Sequence, residues 1–321
     1  MEKKDTCLVT GGAGFIGSHL CARLLKKGYR VVAVDNFLTG VRKNIEPLIA
    51  NPDFILVEHD VIQPLTPSDY KSIGESISYI YHFASPASPE KYRKYSIQTL
   101  LVNSVGTYNM LELARLKKSR FLLASTSEIY GNPLEHPQKE TYFGNVNTIG
   151  LRSCYDESKR FAEAITSEYV RTFGVKGRII RIFNTFGPNM EKKDGRVVSN
   201  FITQALLGKD LTMYGDGNQT RSLCFVSDLI EGIILMMEKN GLDGEVVNLG
   251  NPDEMTIKEI GELIIKLTKS SSTIKSVKSK EKDDPDRRKP DIAKAIQLLN
   301  WKPVVSVSDG LVKTIEYFRS L

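Results

Sequence analysis

With four histidines and four cysteines in 321 residues, the chain has little from which to build a metal centre or a disulfide framework. Cys7, Cys21, Cys154 and Cys224 form no C-x-x-C pair and have no suitably spaced histidine partners, so they read as reduced, mostly buried thiols. No metal site is expected. No apolar stretch reaches the length of a membrane span or a signal-peptide core, because glycines and charges break every candidate. The expectation is a cytoplasmic protein with no membrane contact. Internal repeats and low-complexity segments are missing as well. Neither sign of charge dominates: 44 Lys and Arg stand against 38 Asp and Glu, a balance of +6. The basic residues are spread along the chain, with many in the surface-like stretch 269–289, so nucleic acid is not an expected partner while a small anion is.

What is present is a steady alternation of short apolar runs and amphipathic stretches, the pattern of a parallel sheet with crossover helices. Strands are expected near 5–10, 30–35, 54–58, 78–84, 120–125 and 178–182, with a helix between each pair. In the run 79–84, His82 reads as a core histidine. Beyond about 185 loop punctuation such as Gly187-Pro188 and Gly215-Asp216-Gly217-Asn218 multiplies and helices predominate. The expected fold class is therefore α/β, a Rossmann-like doubly wound parallel sheet (1–185) with a smaller C-terminal substrate-binding lobe (186–321). The boundary is soft, because segments of the lobe return to the first domain. Ser270-Ser271-Ser272 and the charged run 278–288 read as loop. Arg287, Arg288 and Lys289 there are either a phosphate site beside a cleft or a solvated charge run.

The first strand runs straight into Gly11-Gly12-Ala13-Gly14-Phe15-Ile16-Gly17. Glycines at 11, 14 and 17 allow a tight turn, close approach of a pyrophosphate, and tight packing of the next helix, whose N-terminus favours negative charge. The amphipathic stretch 19–27 and a second strand ending on Asp35 complete the dinucleotide-binding pattern. A carboxylate at Asp35 would hold the adenosine ribose diol and repel a 2′-phosphate, which predicts NAD rather than NADP. Asp60 and Val61, closing the third strand, would border the adenine.

Two further strings belong together: Ser125-Thr126-Ser127-Glu128-Ile129-Tyr130-Gly131, and Tyr155-Asp156-Glu157-Ser158-Lys159. At i and i+4, Tyr155 and Lys159 share one helix face, so the ammonium can stabilise a phenolate that takes a proton from a sugar hydroxyl. Thr126 would hold the same oxygen. Alone, such a pair could be a solvated helix face; after a dinucleotide motif it reads as a base and its cation.

Gly11 to Gly17, these two strings, Arg181 to Pro188 and Gln219-Thr220-Arg221 together resemble the extended short-chain dehydrogenase/reductases that act on nucleotide sugars. Within that group the chain is most similar to the UDP-glucuronate decarboxylases, on His82 to Pro89, His136-Pro137-Gln138, Arg152 to Glu157, Asp194 to Phe201, and Asp283-Asp284-Pro285 through Arg288-Lys289-Pro290-Asp291. It departs from their usual pattern at Phe143 (tryptophan), Thr148 and Leu151 (proline) and Ser158 (glycine). The resemblance implies NAD-dependent oxidation at the sugar C4, loss of carbon dioxide from the 4-keto intermediate, and re-reduction. Thr126, Ser127, Glu128, Tyr155, Lys159 and Arg221 are then the catalytic set, Ser127 standing where 4,6-dehydratases carry an aspartate. Glu128 would position the ring or a water, or else merely cap a strand end. Cofactor contacts extend to Phe15, Ile16, Asn36, Ala84, Ser85 and Asn103. Substrate contacts fall to Pro86, Glu128, Asn184, Val198, Tyr214, Arg221 and Arg288, Tyr214 being equally readable as core. A UDP-sugar is the implied partner, and pairing of helices 97–116 and 156–173 between two copies implies a homodimer. A 4-epimerase or 4,6-dehydratase would share the cofactor site; a non-catalytic NAD-binding scaffold would be expected to lack Tyr155 or Lys159.

Overall fold

The computed structural model describes residues 4–74, 76–277 and 287–321. The string Asp283-Asp284-Pro285 and the charged run as far as Asp286 lie outside the described residues. The central sheet contains β1 (Thr6–Thr10), β2 (Arg30–Asp35), β3 (Phe54–Glu58), β4 (Tyr79–His82), β5 (Arg120–Thr126), β6 (Lys176–Ile182) and β7 (Val246–Leu249). In space they run β7-β6-β5-β4-β1-β2-β3, every neighbouring pair parallel. Strand order reverses between β1 and β4, and beyond the carboxyl ends of the strands at such a reversal an α/β sheet leaves a crevice for ligands.

The helices are α1 (Phe15–Lys26), α2 (Pro67–Ile73), α3 (Pro89–Lys94), α4 (Ser96–Leu101), α5 (Thr107–Lys117), α6 (Ser153–Phe173), α7 (Val197–Leu206), α8 (Val226–Glu238), α9 (Ile257–Thr268), α10 (Ala293–Leu299) and α11 (Val307–Arg319). Alternation along β1 sends Cys7 and Val9 into one apolar layer, with Leu20 and Leu24 of α1 and Ile230 and Ile233 of α8. Leu8 goes to the other layer, with Leu111 of α5 and Ala162 of α6. Both faces of the sheet are thus covered, which is why its strands read as continuous aliphatic runs. The first layer continues unbroken into the C-terminal residues, taking in Phe201 of α7, Ile260 of α9 and Leu311 of α11.

The six expected strands are present, and two expectations are corrected. No α-helix links β2 to β3; two 3₁₀ turns, Arg42–Asn44 and Glu46–Leu48, do so instead. Gly40 and Pro47 interrupt that segment and leave no room for an apolar face of helical period. The sheet also has a seventh strand, β7, from a region expected to be mainly helical; its ladder with β6 runs from Val246↔Ile179 to Leu249↔Ile182.

Candidate active site

At the end of β1 the backbone turns through Gly11, at φ +70°, where a Cβ would lie 2.9 Å from the backbone of Phe83 and Ala84. A Cβ on Gly17 would stand 2.0 Å from Gly11 O, so only glycine lets α1 close onto the turn. No side chain caps α1 and no acid occupies its first turn, so its leading N–H groups are available to an anion. Beside this turn a recess is lined by Gly11, Gly14, Asp35, Asn36, Asp60, Val61, Ala84, Ser85 and Pro86. Asp35 is held by the N–H groups of Ala13 at 2.9 Å and Phe37 at 2.8 Å. Asn36 donates to Asp60 at 3.0 Å, tying the ends of β2 and β3 together. An uncapped helix N-terminus, a glycine cradle and an acid at the end of β2 fit a dinucleotide with an unphosphorylated ribose.

The recess meets a second cavity of about 870 Å³ at Gly11, Gly14, Phe83 and Ser85. Phe15, Ile16, Gly17, Thr126, Ser127, Glu128, Tyr155, Lys159, Asn184, Val198, Tyr214, Arg221 and Arg288 all line it. Asn103 lines neither. It sits in the π-helical turn Val102–Gly106 and donates 3.0 Å hydrogen bonds to Ser85 and Ser158, bracing the wall from behind. Tyr214 is exposed rather than core. His82 is buried, with Thr10 Oγ1 2.8 Å from Nδ1 and Thr107 Oγ1 3.2 Å from Nε2, as a core histidine should be. Of the four departures from the decarboxylase pattern, Phe143, Thr148 and Leu151 are exposed, while Ser158 is buried and its hydroxyl donates to Tyr155 O at 3.0 Å.

Tyr155 and Lys159 face the cavity from the first turns of α6. Burial pushes the Tyr155 hydroxyl up to about 12, a hydrogen bond with Thr126 working the other way. Burial lowers Lys159 to about 7, against the pull of Glu163. The lysine donates to Ala124 O at 2.9 Å and lies 5.9 Å from the Tyr155 ring centroid. The phenolate therefore needs cations close by in order to form, and Lys159 is positioned to be one of them.

Glu128 is not a strand-end cap: Thr126 Oγ1 takes that role, accepting Glu128 N–H at 3.2 Å. The Glu128 carboxylate is gripped instead by Arg152 on one oxygen and Arg288 on the other. Burial opposes its charge, but the two guanidinium groups prevail and hold it well below the usual carboxylate range. Arg288 is thus neither solvated nor in an open loop. Arg287–Arg288 form a short strand beside Thr220–Ser222, with Arg288 in register with Arg221. Sequence reasoning gave no role to Arg152, Asp156 or Tyr92. Arg152 and Tyr92 line the cavity, and the Tyr92 ring stacks on that of Tyr155 with centroids 5.0 Å apart and planes 4° from parallel. The i, i+4 spacing of Arg152 and Asp156 was the available signal for that pair.

A parallel sheet in this strand order, a glycine cradle and a Thr–Tyr–Lys constellation define a dinucleotide-dependent enzyme of the short-chain dehydrogenase/reductase type. The family model described as GDP-mannose 4,6 dehydratase matches residues 8–314. UDP-glucuronic acid decarboxylase 1 of Xenopus tropicalis is 52% identical over 321 residues, 99% of this chain and 74% of that protein. UDP-glucuronic acid decarboxylase 1 of Arabidopsis thaliana is 49% identical over 319 residues, 99% of this chain and 71% of that protein. Among solved structures, UDP-glucuronic acid 4-epimerase from Bacillus cereus in complex with UDP-glucuronic acid and NAD superposes with a TM-score of 0.87 at 31% identity, covering 98% of this chain and 99% of its own. The chain belongs to the GDP-mannose 4,6 dehydratase family of extended short-chain dehydrogenase/reductases, in the branch of the UDP-glucuronic acid decarboxylases.

Proposed function

We propose that the protein is an NAD-dependent UDP-glucuronate decarboxylase that converts UDP-glucuronate to UDP-xylose and carbon dioxide. The observation that carries this reading is the identity of about half the residues with decarboxylases along 99% of the chain. The site's chemistry supports it. NAD, which the glycine turn at Gly11, Gly14 and Gly17 and the Asp35 carboxylate would hold, would supply the hydride acceptor for oxidation at the sugar C4 and the hydride for the later reduction. Tyr155, as phenolate, takes the C4 hydroxyl proton, Thr126 orients that oxygen, and Lys159 stabilises the phenolate. The resulting ketone stands β to the sugar carboxylate, so carbon dioxide leaves with its electrons accepted by the ketone. Ser127 and Glu128 border the ring. Glu128, held ionised by two arginines, serves as a fixed charge rather than a proton donor.

Asn184 and Arg221 are assigned to the diphosphate or carboxylate, as suits bidentate anion recognition by Arg. Val198 and Tyr214 frame the base, and the residues beyond about 185 are mainly the nucleotide-sugar lobe, with β7 and α8 returning to the central sheet. We assign the working form as a homodimer, supported by exposed Ile97, Tyr108, Phe161 and Phe173 on the α4–α5 and α6 faces. No helix among the described residues is long and apolar enough to cross a membrane. A cytoplasmic location is supported by the free thiols of Cys7, Cys21 and Cys224, all buried. Proton NMR of the product of UDP-glucuronate tests the reading: a UDP-pentose is expected, whereas an epimerised hexuronate would overturn it.

A further inference from the structure

Gln138 lines neither the cofactor recess nor the larger cavity, and it is fully buried. Its hydrogen bonds run to the segment that carries Arg288, and join it to Lys289, 151 positions along the chain. The Gln138 N–H donates to Lys289 O at 2.9 Å and its carbonyl accepts Asp291 N–H at 2.9 Å, a parallel bridge opposite Pro290. The side chain spans the same gap: Oε1 accepts Lys289 N–H at 2.9 Å while Nε2 donates to Glu135 O at 2.7 Å. Asn248 of β7, also fully buried, donates from Nδ2 to Gln138 O at 3.0 Å and to Asp291 O at 3.2 Å, which fastens both segments to the central sheet. Arg288 is thus fixed from three sides. Its strand pairs with Thr220–Ser222, the peptide that follows it is bound by Gln138, and its guanidinium donates to Gly131 O at 2.9 Å and to Glu128. Gly131 and Gln138 lie on one loop, which leaves the turn Ser127–Tyr130 that carries Glu128. Without the Gln138 side chain the Lys289 N–H loses its acceptor beside a fully buried residue. An unsatisfied donor there is costly, so the segment shifts and takes Arg288 with it.

We propose that Gln138 is a positioning residue for the decarboxylation step: from outside the cavity it sets the place of Arg288, and with it the contact between Arg288 and Glu128 at the cavity wall. The proposal rests on the reading of the protein as a UDP-glucuronate decarboxylase. Thr126 stands on β5, and Tyr155 and Lys159 stand on α6. The hydrogen bonds of Gln138 go to Glu135, Asn248, Lys289 and Asp291 and reach neither element. Oxidation at C4 and retention of NAD should therefore not depend on Gln138, whereas loss of carbon dioxide should.

The test is single turnover of the Gln138→Leu and Gln138→Glu holoenzymes with UDP-glucuronate, following NADH absorbance and carbon dioxide together. Gln138→Leu is close in size but offers Lys289 N–H no acceptor. It should oxidise the sugar at close to the wild-type rate and release carbon dioxide about ten- to a hundredfold more slowly, the cost of a contact displaced by about an ångström, with NADH visible in between. Gln138→Glu keeps an acceptor for that N–H in either protonation state, and should recover most of the lost rate. Equal slowing of oxidation and decarboxylation in Gln138→Leu overturns the proposal, as does no slowing of either, or a Gln138→Glu enzyme no faster than Gln138→Leu. Hydrogen–deuterium exchange of the wild-type holoenzyme gives the answer where the variants fail to fold. The Lys289 and Asp291 amides should be protected like those of the central strands, and exchange at the rate of an open chain overturns the proposal. Any of these results, with carbon dioxide still released by the wild type, leaves the functional reading standing. Wild-type consumption of UDP-glucuronate without carbon dioxide brings down both.

Discussion

Burial acts on Tyr155 and Lys159 in opposite directions, raising the phenol to about 12 and lowering the ammonium to about 7, so each disfavours its own charged form unless the other is near. Tyr155→Phe keeps the ring stacked on Tyr92 and removes only the base. UDP-glucuronate binding should survive with turnover down by about two to four orders of magnitude; retention of more than about a tenth of the activity contradicts the assignment. Lys159 also gives a stability prediction. Between about 7 and the ordinary 10.5 the unfolded chain keeps a proton that the folded, cofactor-free protein releases, so stability rises with pH through that window and is lowest below it. Lys159→Met removes this dependence. Its advantage over wild type in urea unfolding should be greatest at neutral and lower pH and shrink by about 1.4 kcal/mol per unit above that; an advantage unchanged with pH excludes the burial argument. Glu128→Gln removes the carboxylate charge that Arg152 and Arg288 share, and should slow carbon dioxide release in single turnovers without loss of NAD. Thr126, Tyr155 and Lys159 were legible in the sequence because one strand end and one helix face carry them. The grip of Arg152 and Arg288 on Glu128 was not, because it joins residues 24 and 160 positions apart whose meeting only the fold decides.

At the scale of the element, the strand–glycine turn–helix unit was fully readable, since each glycine answers a local steric demand. Gly17→Ala puts a methyl 2.0 Å from Gly11 O, which α1 can relieve only by moving off the turn. Loss of copurifying NAD and destabilisation by about 1–3 kcal/mol are expected, read by nucleotide release and thermal melting. A variant retaining NAD at wild-type occupancy excludes the cradle argument. The strands β1 to β6 were legible from their aliphatic runs. β7 was not: it is a four-residue strand, and its pairing with β6 is a long-range choice invisible to local pattern. The β2–β3 link was misread because alternation of strand and helix was assumed where Gly40 and Pro47 forbid it.

For the whole molecule, the apolar layer that runs from α1 through α8 to α7, α9 and α11 makes the sheet and the C-terminal residues one packed body around the cavity. What the core does not absorb is the face of α4–α5 and α6, where Ile97 is 62% and Phe173 55% exposed. A homodimer should cover it: light scattering at micromolar concentration should give twice the 36.0 kDa chain mass, and Phe161→Glu should shift the protein towards monomer. A wild-type protein that stays monomeric excludes that assembly. The most direct measurement is of carbon dioxide released by the purified protein from UDP-glucuronate with no nicotinamide cofactor added. One carbon dioxide per UDP-glucuronate consumed, with no net NADH accumulating, is the expected result. Consumption of UDP-glucuronate without carbon dioxide, or a stoichiometric demand for added NAD, would contradict a decarboxylase that regenerates its own cofactor.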